Sequence, residues 1–127
     1  MKNVIRVGEI AHARSGDKGN HANIGVIAFT PEGYRYLGEV LTSDAVAKYF
    51  RRVEPTQVRR YALPGVMAYN FVLFDVLGGG ASRSLRVDSQ GKTLALALLE
   101  MPIEPPPPAD LERMRRQPSK SSEATAR

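Results

Sequence analysis

The chain has no cysteine, no tryptophan and only two histidines in 127 residues. Each shortage removes a class of chemistry. Without thiols there is no cysteine nucleophile, iron–sulfur cluster, zinc ribbon or disulfide framework, and two imidazoles do not make a multi-histidine cage. No metal site is therefore expected, and the sequence names no cofactor. Long apolar runs are also missing. No segment approaches the ~18 uninterrupted apolar residues of a membrane span, and Met1-Lys2-Asn3-Val4-Ile5-Arg6-Val7-Gly8 breaks its apolar stretch too early for a signal peptide. No membrane association is expected, and the cytoplasm is the default location.

What is present is the profile of one globular domain: 43% apolar and 24% charged side chains. A domain of this length hides roughly two-thirds of its unfolded surface and needs no covalent staple. The net charge of +5 comes from 18 basic and 13 acidic residues, 13 and nine of which lie in residues 1–103. Basic residues occur as the pairs Arg51-Arg52, Arg59-Arg60 and Arg115-Arg116, never as a run or stripe that would track a phosphate backbone. The charge therefore suits small anionic ligands, and no nucleic acid is expected.

Two regions follow: a body, 1–103, and a tail, 104–127. Four prolines, Pro105 to Pro108, favour an extended spacer, and Asp110 to Gln117 reads as a short charged helix stopped by Pro118. The tail is a passive extension or a contact for a neighbouring subunit.

In the body, Val4 to Arg14 and Ala22 to Phe29 read as a hairpin around the turn Ser15 to Asn20, with a bulge at Gly8-Glu9 and the second strand central because it is apolar on both faces. Thr42 caps a helix in which Leu41 and Val46 form a staple and Val46, Tyr49, Phe50 and Val53 form the apolar face, ended by Pro55. Thr56 to Leu63 alternates as a strand with one solvated face and closes at Pro64-Gly65. Val66 to Leu77, continuously apolar except for Asn70 and Asp75, reads as a buried helix with Gly78 as its left-handed cap. Asp88-Ser89-Gln90-Gly91 caps a helix through Thr93 to Leu99 or turns a hairpin; the spacing of Leu94, Leu98 and Met101 favours the helix. Met101-Pro102-Ile103 is an edge strand, since Pro102 cannot donate to an interior ladder. The sum is an α+β layer of about four mainly antiparallel strands covered by two or three helices.

Two glycine-bearing loops are the candidate site. In Arg14-Ser15-Gly16-Asp17-Lys18-Gly19-Asn20-His21-Ala22-Asn23, Gly16 and Gly19 permit a backbone nest while Arg14 and Lys18 supply charge. The second, Gly78-Gly79-Gly80-Ala81-Ser82-Arg83-Ser84, is neither a Walker loop nor a dinucleotide fingerprint: no Gly-Lys-Ser/Thr follows, and Arg83 stands where the last glycine would be. Three glycines exceed what a helix cap needs, which suggests close approach of a ligand or a second backbone. The joint site is Arg14, Lys18 and Arg83 holding a carboxylate or phosphate, with Ser15, Asp17, Asn20, Asn23, Gly79 and Gly80 around it. A nucleophile, base and orienter from Ser15, His12 or His21 and Asp17 lacks the glycine elbow that would expose a serine. Asn23 and Asn70 lie in apolar segments, so each is expected to have a definite partner.

These motifs resemble a known family. Residues 7 to 103 are similar to the small carboxy-terminal, ferredoxin-like domain of the acyclic terpene utilization (AtuA) proteins. The match runs through Ile10 to Asn20, Ala22 to Ala28, Tyr61 to Gly65, Asn70 to Leu73, Leu77 to Gly80, Ser82 to Arg86 and Gln90 to Ala95. The resemblance implies a ferredoxin-like sandwich and a link to catabolism of acyclic terpenes and related branched acids, carried as coenzyme A thioesters. In that family a large amino-terminal domain normally precedes this segment, and it is absent from this sequence. The resemblance thus implies an accessory or ligand-binding domain acting as a homo-oligomer or with a larger AtuA-like chain, on an anionic small molecule or acyl-CoA. The alternative is a small enzyme on acyl thioesters or carboxylates, with Asp17 or His21 as general base.

Overall fold

A computed structural model describes residues 3–76 and 90–115. Its main feature is a four-stranded antiparallel sheet with helices on one face and nothing described on the other. The chain starts with β1 (Ile5–Arg6), makes a single 3₁₀ turn at Val7–Glu9, and enters β2 (Ala11–Lys18) and β3 (His21–Ala28). Where a bulge was expected at Gly8-Glu9, the chain turns fully: β1 leaves the main sheet and pairs with β6 (Pro102–Ile103). Gly8 lies close against Leu99, where an added Cβ would come within 3.2 Å of the Leu99 carbonyl oxygen.

The β2–β3 hairpin is tighter than the expected six-residue turn. Pairing continues to Lys18↔His21, leaving only Gly19 and Asn20 in the loop. Gly19 has φ +62°, the left-handed region that two-residue hairpin loops with glycine first exploit.

Next comes α1 (Pro31–Val40), to which the sequence reading assigned no element. Its start signal is nonetheless local: Thr30 Oγ1 accepts from the Gly33 N–H at 3.0 Å and proline occupies the first turn. As expected, Thr42 caps α2 (Ser43–Tyr49), accepting from the Ala45 N–H at 3.1 Å. Leu41 and Val46 are fully buried beneath it. A 3₁₀ turn at Arg51–Val53 leads to β4 (Val58–Leu63), an edge strand.

The largest correction concerns Val66 to Leu77. The expected helix is instead β5 (Ala68–Leu73), the second central strand, paired to β3 and β4 on its two sides. A central strand, hydrogen-bonded at both edges, can carry as continuous an apolar run as a buried helix, so the run length misleads. The bounding residues decide it: Met67 (φ 55°) and Asp75 (φ 63°) are left-handed and end any regular element there. The proposed Gly78 cap lies outside the described residues.

The helix expected near the C-terminal end of the body is α3 (Gln90–Leu99), and it lies over β2 and β3. The sheet order β2-β3-β5-β4 is that of a ferredoxin-like α+β sandwich, with β2, before the first helix, filling the edge that a βαββαβ unit gives to its last strand. Beyond Pro105, α4 (Pro108–Met114) lies against α1. Met114 joins the core, Tyr36 donates to the Glu104 carbonyl, and Arg115 pairs with Glu9 at 2.8 Å. This stretch of the tail thus contacts its own body.

The core lies between sheet and helices. Alternate residues of β3 (Ala22, Ile24, Val26, Ala28) and of β5 (Tyr69, Phe71, Leu73) are buried there with Leu37, Leu41, Val46 and Leu98. At one rim Tyr69 stacks on Tyr34 with centroids 4.6 Å apart, and Arg60 lies 4.7 Å above the Tyr69 ring. Arg60 Nη1 also donates to the Gly38 and Leu41 carbonyls at 3.0 and 2.9 Å, neutralising the negative end of α1.

Candidate functional site

Strand periodicity places the remaining residues on the open face, and the register orders them into three rows. One row runs Gly16, Asn23, Val72, Arg59; the middle row runs Arg14, Gly25, Asn70, Tyr61; the third runs His12, Ile27, Ala68, Leu63. None of these positions carries a carboxylate. Glycine stands next to each asparagine, so the centre of the face is low and its sides are high. Arg14 and Tyr61, both exposed, close the middle row at its two ends, three strand spacings or about 14 Å apart.

At the centre, Asn23 Nδ2 donates to Asn70 Oδ1 at 3.1 Å across the β3–β5 ladder. The two amides expected to need partners are each other's partner. They sit diagonally, within reach because the pairs Asn23↔Val72 and Gly25↔Asn70 are adjacent. The bond uses one donor and one acceptor, leaving Asn23 Oδ1 and the Asn70 amide hydrogens for a further group. Glycine at 16 keeps the space open, since a Cβ there would lie 3.1 Å from Asn23 Oδ1.

Of the anticipated site residues, the structure brings Arg14 and Asn23 to this face. Ser15 and Asp17 belong to the opposite parity of β2, and Asn20 is exposed at the hairpin tip. Lys18 pairs with His21 in the ladder. Because residues 14 to 18 are in a strand, their N–H groups alternate in direction and do not converge, so the backbone nest expected around Gly16 does not form. The same parity separates His12 from Ser15, and among the described residues no hydrogen bond joins Ser15 to a histidine. Gly79, Gly80 and Arg83 lie outside the described residues.

The end of β5 nevertheless adjoins the hairpin. His21 Nδ1 accepts from the Asp75 N–H at 3.0 Å, its ring meets Phe74 with centroids 4.8 Å apart, and Asp75 Oδ2 accepts from the Thr56 hydroxyl at 2.5 Å. Val76, buried just beyond, is the last described residue before the second glycine segment. With Nδ1 engaged as an acceptor, neutral His21 carries its proton on Nε2 and presents a donor to solvent. Among the described residues no cluster of three histidine, aspartate or glutamate side chains is placed to hold a metal.

Arg59 and Tyr61 are site residues the sequence reading missed. Their signal was in hand, since alternation along Thr56 to Leu63 puts both on the solvated face. Tyr61 and Leu63, 44% and 46% exposed, make the β4 side of this face apolar, and Val66, 61% exposed, follows in the turn after β4.

Comparison with known proteins adds one match. A family model described as the AtuA ferredoxin-like domain matches residues 5–104, most of the chain and all the strands described above. No curated protein and no solved structure gives a match.

Proposed function

The chain belongs to the AtuA ferredoxin-like domain family, and from that premise we propose that it is an accessory, ligand-binding domain whose open sheet face receives an anionic small molecule. The observation that carries the reading is the carboxylate-free face, on which Arg14 and Arg59 flank the Asn23–Asn70 amide pair over a glycine floor. Guanidinium groups bind carboxylate or phosphate through paired donors, and the spare amide groups orient what the charge attracts. Lys18 and Asn20 belong to the adjoining hairpin end, and Gly79, Gly80 and Arg83 follow the end of β5 that His21 ties to that hairpin. In this reading they complete the site.

In this reading the ligands are acyl-coenzyme A thioesters or the corresponding branched acids, bound in the cytoplasm. The sheet face that no described helix covers suits assembly, as a homo-oligomer or with a larger AtuA-like chain. An enzyme acting on acyl thioesters is the alternative, and turnover lost in Asp17→Asn would establish it.

Native mass spectrometry with acetyl-, isovaleryl- and geranyl-coenzyme A and the free acids tests the proposal, reading subunit count and bound mass together. Retention of a thioester or acid by the wild type, and its loss in the Arg14→Gln, Arg83→Gln double variant, is the expected result. Equal binding by both proteins, or none by either alone or with a larger chain, overturns it.

A further inference from the structure

On the helical side of the sheet, a groove of about 520 Å³ opens between α2 and the start of β6. It is lined by Asp44, Ala45, Lys48, Tyr49, Arg51, Met101 and Pro102. Its floor is apolar. The Tyr49 hydroxyl donates to the Ala97 carbonyl at 2.7 Å, so Tyr49 offers its ring and not its oxygen, and Met101 is almost wholly buried beneath. The volume is within the range of small-molecule sites, roughly 300–1,000 Å³.

The charge around it is uneven. Glu100, whose charge acts on the Tyr49 hydroxyl, is engaged by Arg6 at 3.0 Å. Lys48, at the last turn of α2, and Arg51, one turn further on, have no ion-pair partner among the described residues. Asp44 stands at the opposite end of α2, in its first turn. The groove is thus an apolar trough with two uncommitted cations at one end.

We infer that this groove binds an amphipathic monocarboxylate, its tail along Ala45, Tyr49, Met101 and Pro102 and its carboxylate between Lys48 and Arg51. Burial of the tail supplies most of the binding, and the two cations fix its direction, because Asp44 repels the carboxylate from the other end. The site lies on the opposite side of the sheet from Arg14 and does not rest on the sheet-face reading.

Titration with octanoate, followed by amide chemical shifts of the full chain, tests the inference. The expected result is saturable shifts centred on Ala45, Tyr49 and Met101, with octanol binding more weakly. Lys48→Gln with Arg51→Gln should weaken octanoate about tenfold, as loss of a charge-assisted contact does; both side chains are exposed, so the fold survives. Arg14→Gln should leave octanoate binding unchanged. Shifts spread over the whole chain, shifts centred on the Asn23 face, equal binding by octanol, or an unaffected double variant would each overturn it.

Discussion

The Tyr69 hydroxyl occupies the space that a Cβ at Gly38 would need. It is held there by donation to the Tyr34 carbonyl at 3.1 Å, by stacking on the Tyr34 ring and by Arg60 above it. Burial, reinforced by the neighbouring Tyr34 side chain, raises the Tyr69 pKa above the ordinary tyrosine value, so the donor stays protonated. A glycine inside a helix is retained because the sheet's aromatic residue reaches through the helix surface.

Gly38→Ala sets two effects against each other. Alanine gains about 1 kcal/mol of helix propensity, while overpacking against a clamped ring costs about 1–3 kcal/mol. We expect the cost to win and the melting temperature to fall, with Tyr69→Phe restoring part of it in the Gly38→Ala background. A raised melting temperature in the single variant would show that the ring yields.

Arg60→Met should destabilise by about 1.5–3 kcal/mol, the range for hydrogen bonds to a charged group. It removes both donations to the carbonyls that end α1 as well as the cation over Tyr69. Arg60→Lys keeps the charge but loses the planar fork, so urea denaturation should place it between wild type and Arg60→Met.

Asn23→Ala and Asn70→Ala should each cost about 1 kcal/mol, near the net worth of one hydrogen bond. Since both remove the same bond, the double variant should cost less than their sum. Strict additivity in a double-mutant cycle would mean that the amide pair is not coupled in solution.

Glu9 makes stability depend on acid. Burial pushes its carboxyl pKa up, but the Arg6 N–H and the Arg115 guanidinium outweigh that and leave it below the ordinary value of 4.5. A depressed folded-state pKa stabilises above the unfolded value, and that contribution is lost as pH falls through the folded value. Thermal melts from pH 6 down toward about pH 3 should therefore fall less steeply for Glu9→Gln than for wild type.

Met114→Ala should release α4 from the body. Methionine-to-alanine changes in a core cost about 2–5 kcal/mol, and the low end is expected near the end of the described chain. Faster hydrogen exchange over residues 108–115, with the sheet unaffected, is the checking measurement.

Much of this fold is written locally. The Thr42 cap, the central position of the second strand and the α3 spacing follow from neighbours in sequence, and the structure has each of them, whereas the strand at Pro102 forms but pairs with β1 outside the four-stranded sheet. The need of Asn23 and Asn70 for partners was legible too, because an amide in an apolar segment must be satisfied whatever the fold. So were the family's motifs, whose match covers residues 5–104.

Three things were decided only by tertiary structure. Ala68 to Leu73, inside the apolar run from Val66, is a strand because β3 and β4 pair with it on its two sides, and so continuous a run carries no clear period of its own. Arg14, Asn23, Asn70 and Tyr61 share one surface because four strands aligned in one register, a relation between distant segments in which Asn23 and Asn70 alone are 47 residues apart. Ser15 and Asp17 were separated from that surface by the same alternation. Sequence determines what each residue requires locally; the pairing of distant strands determines which requirements are met together, and on which face.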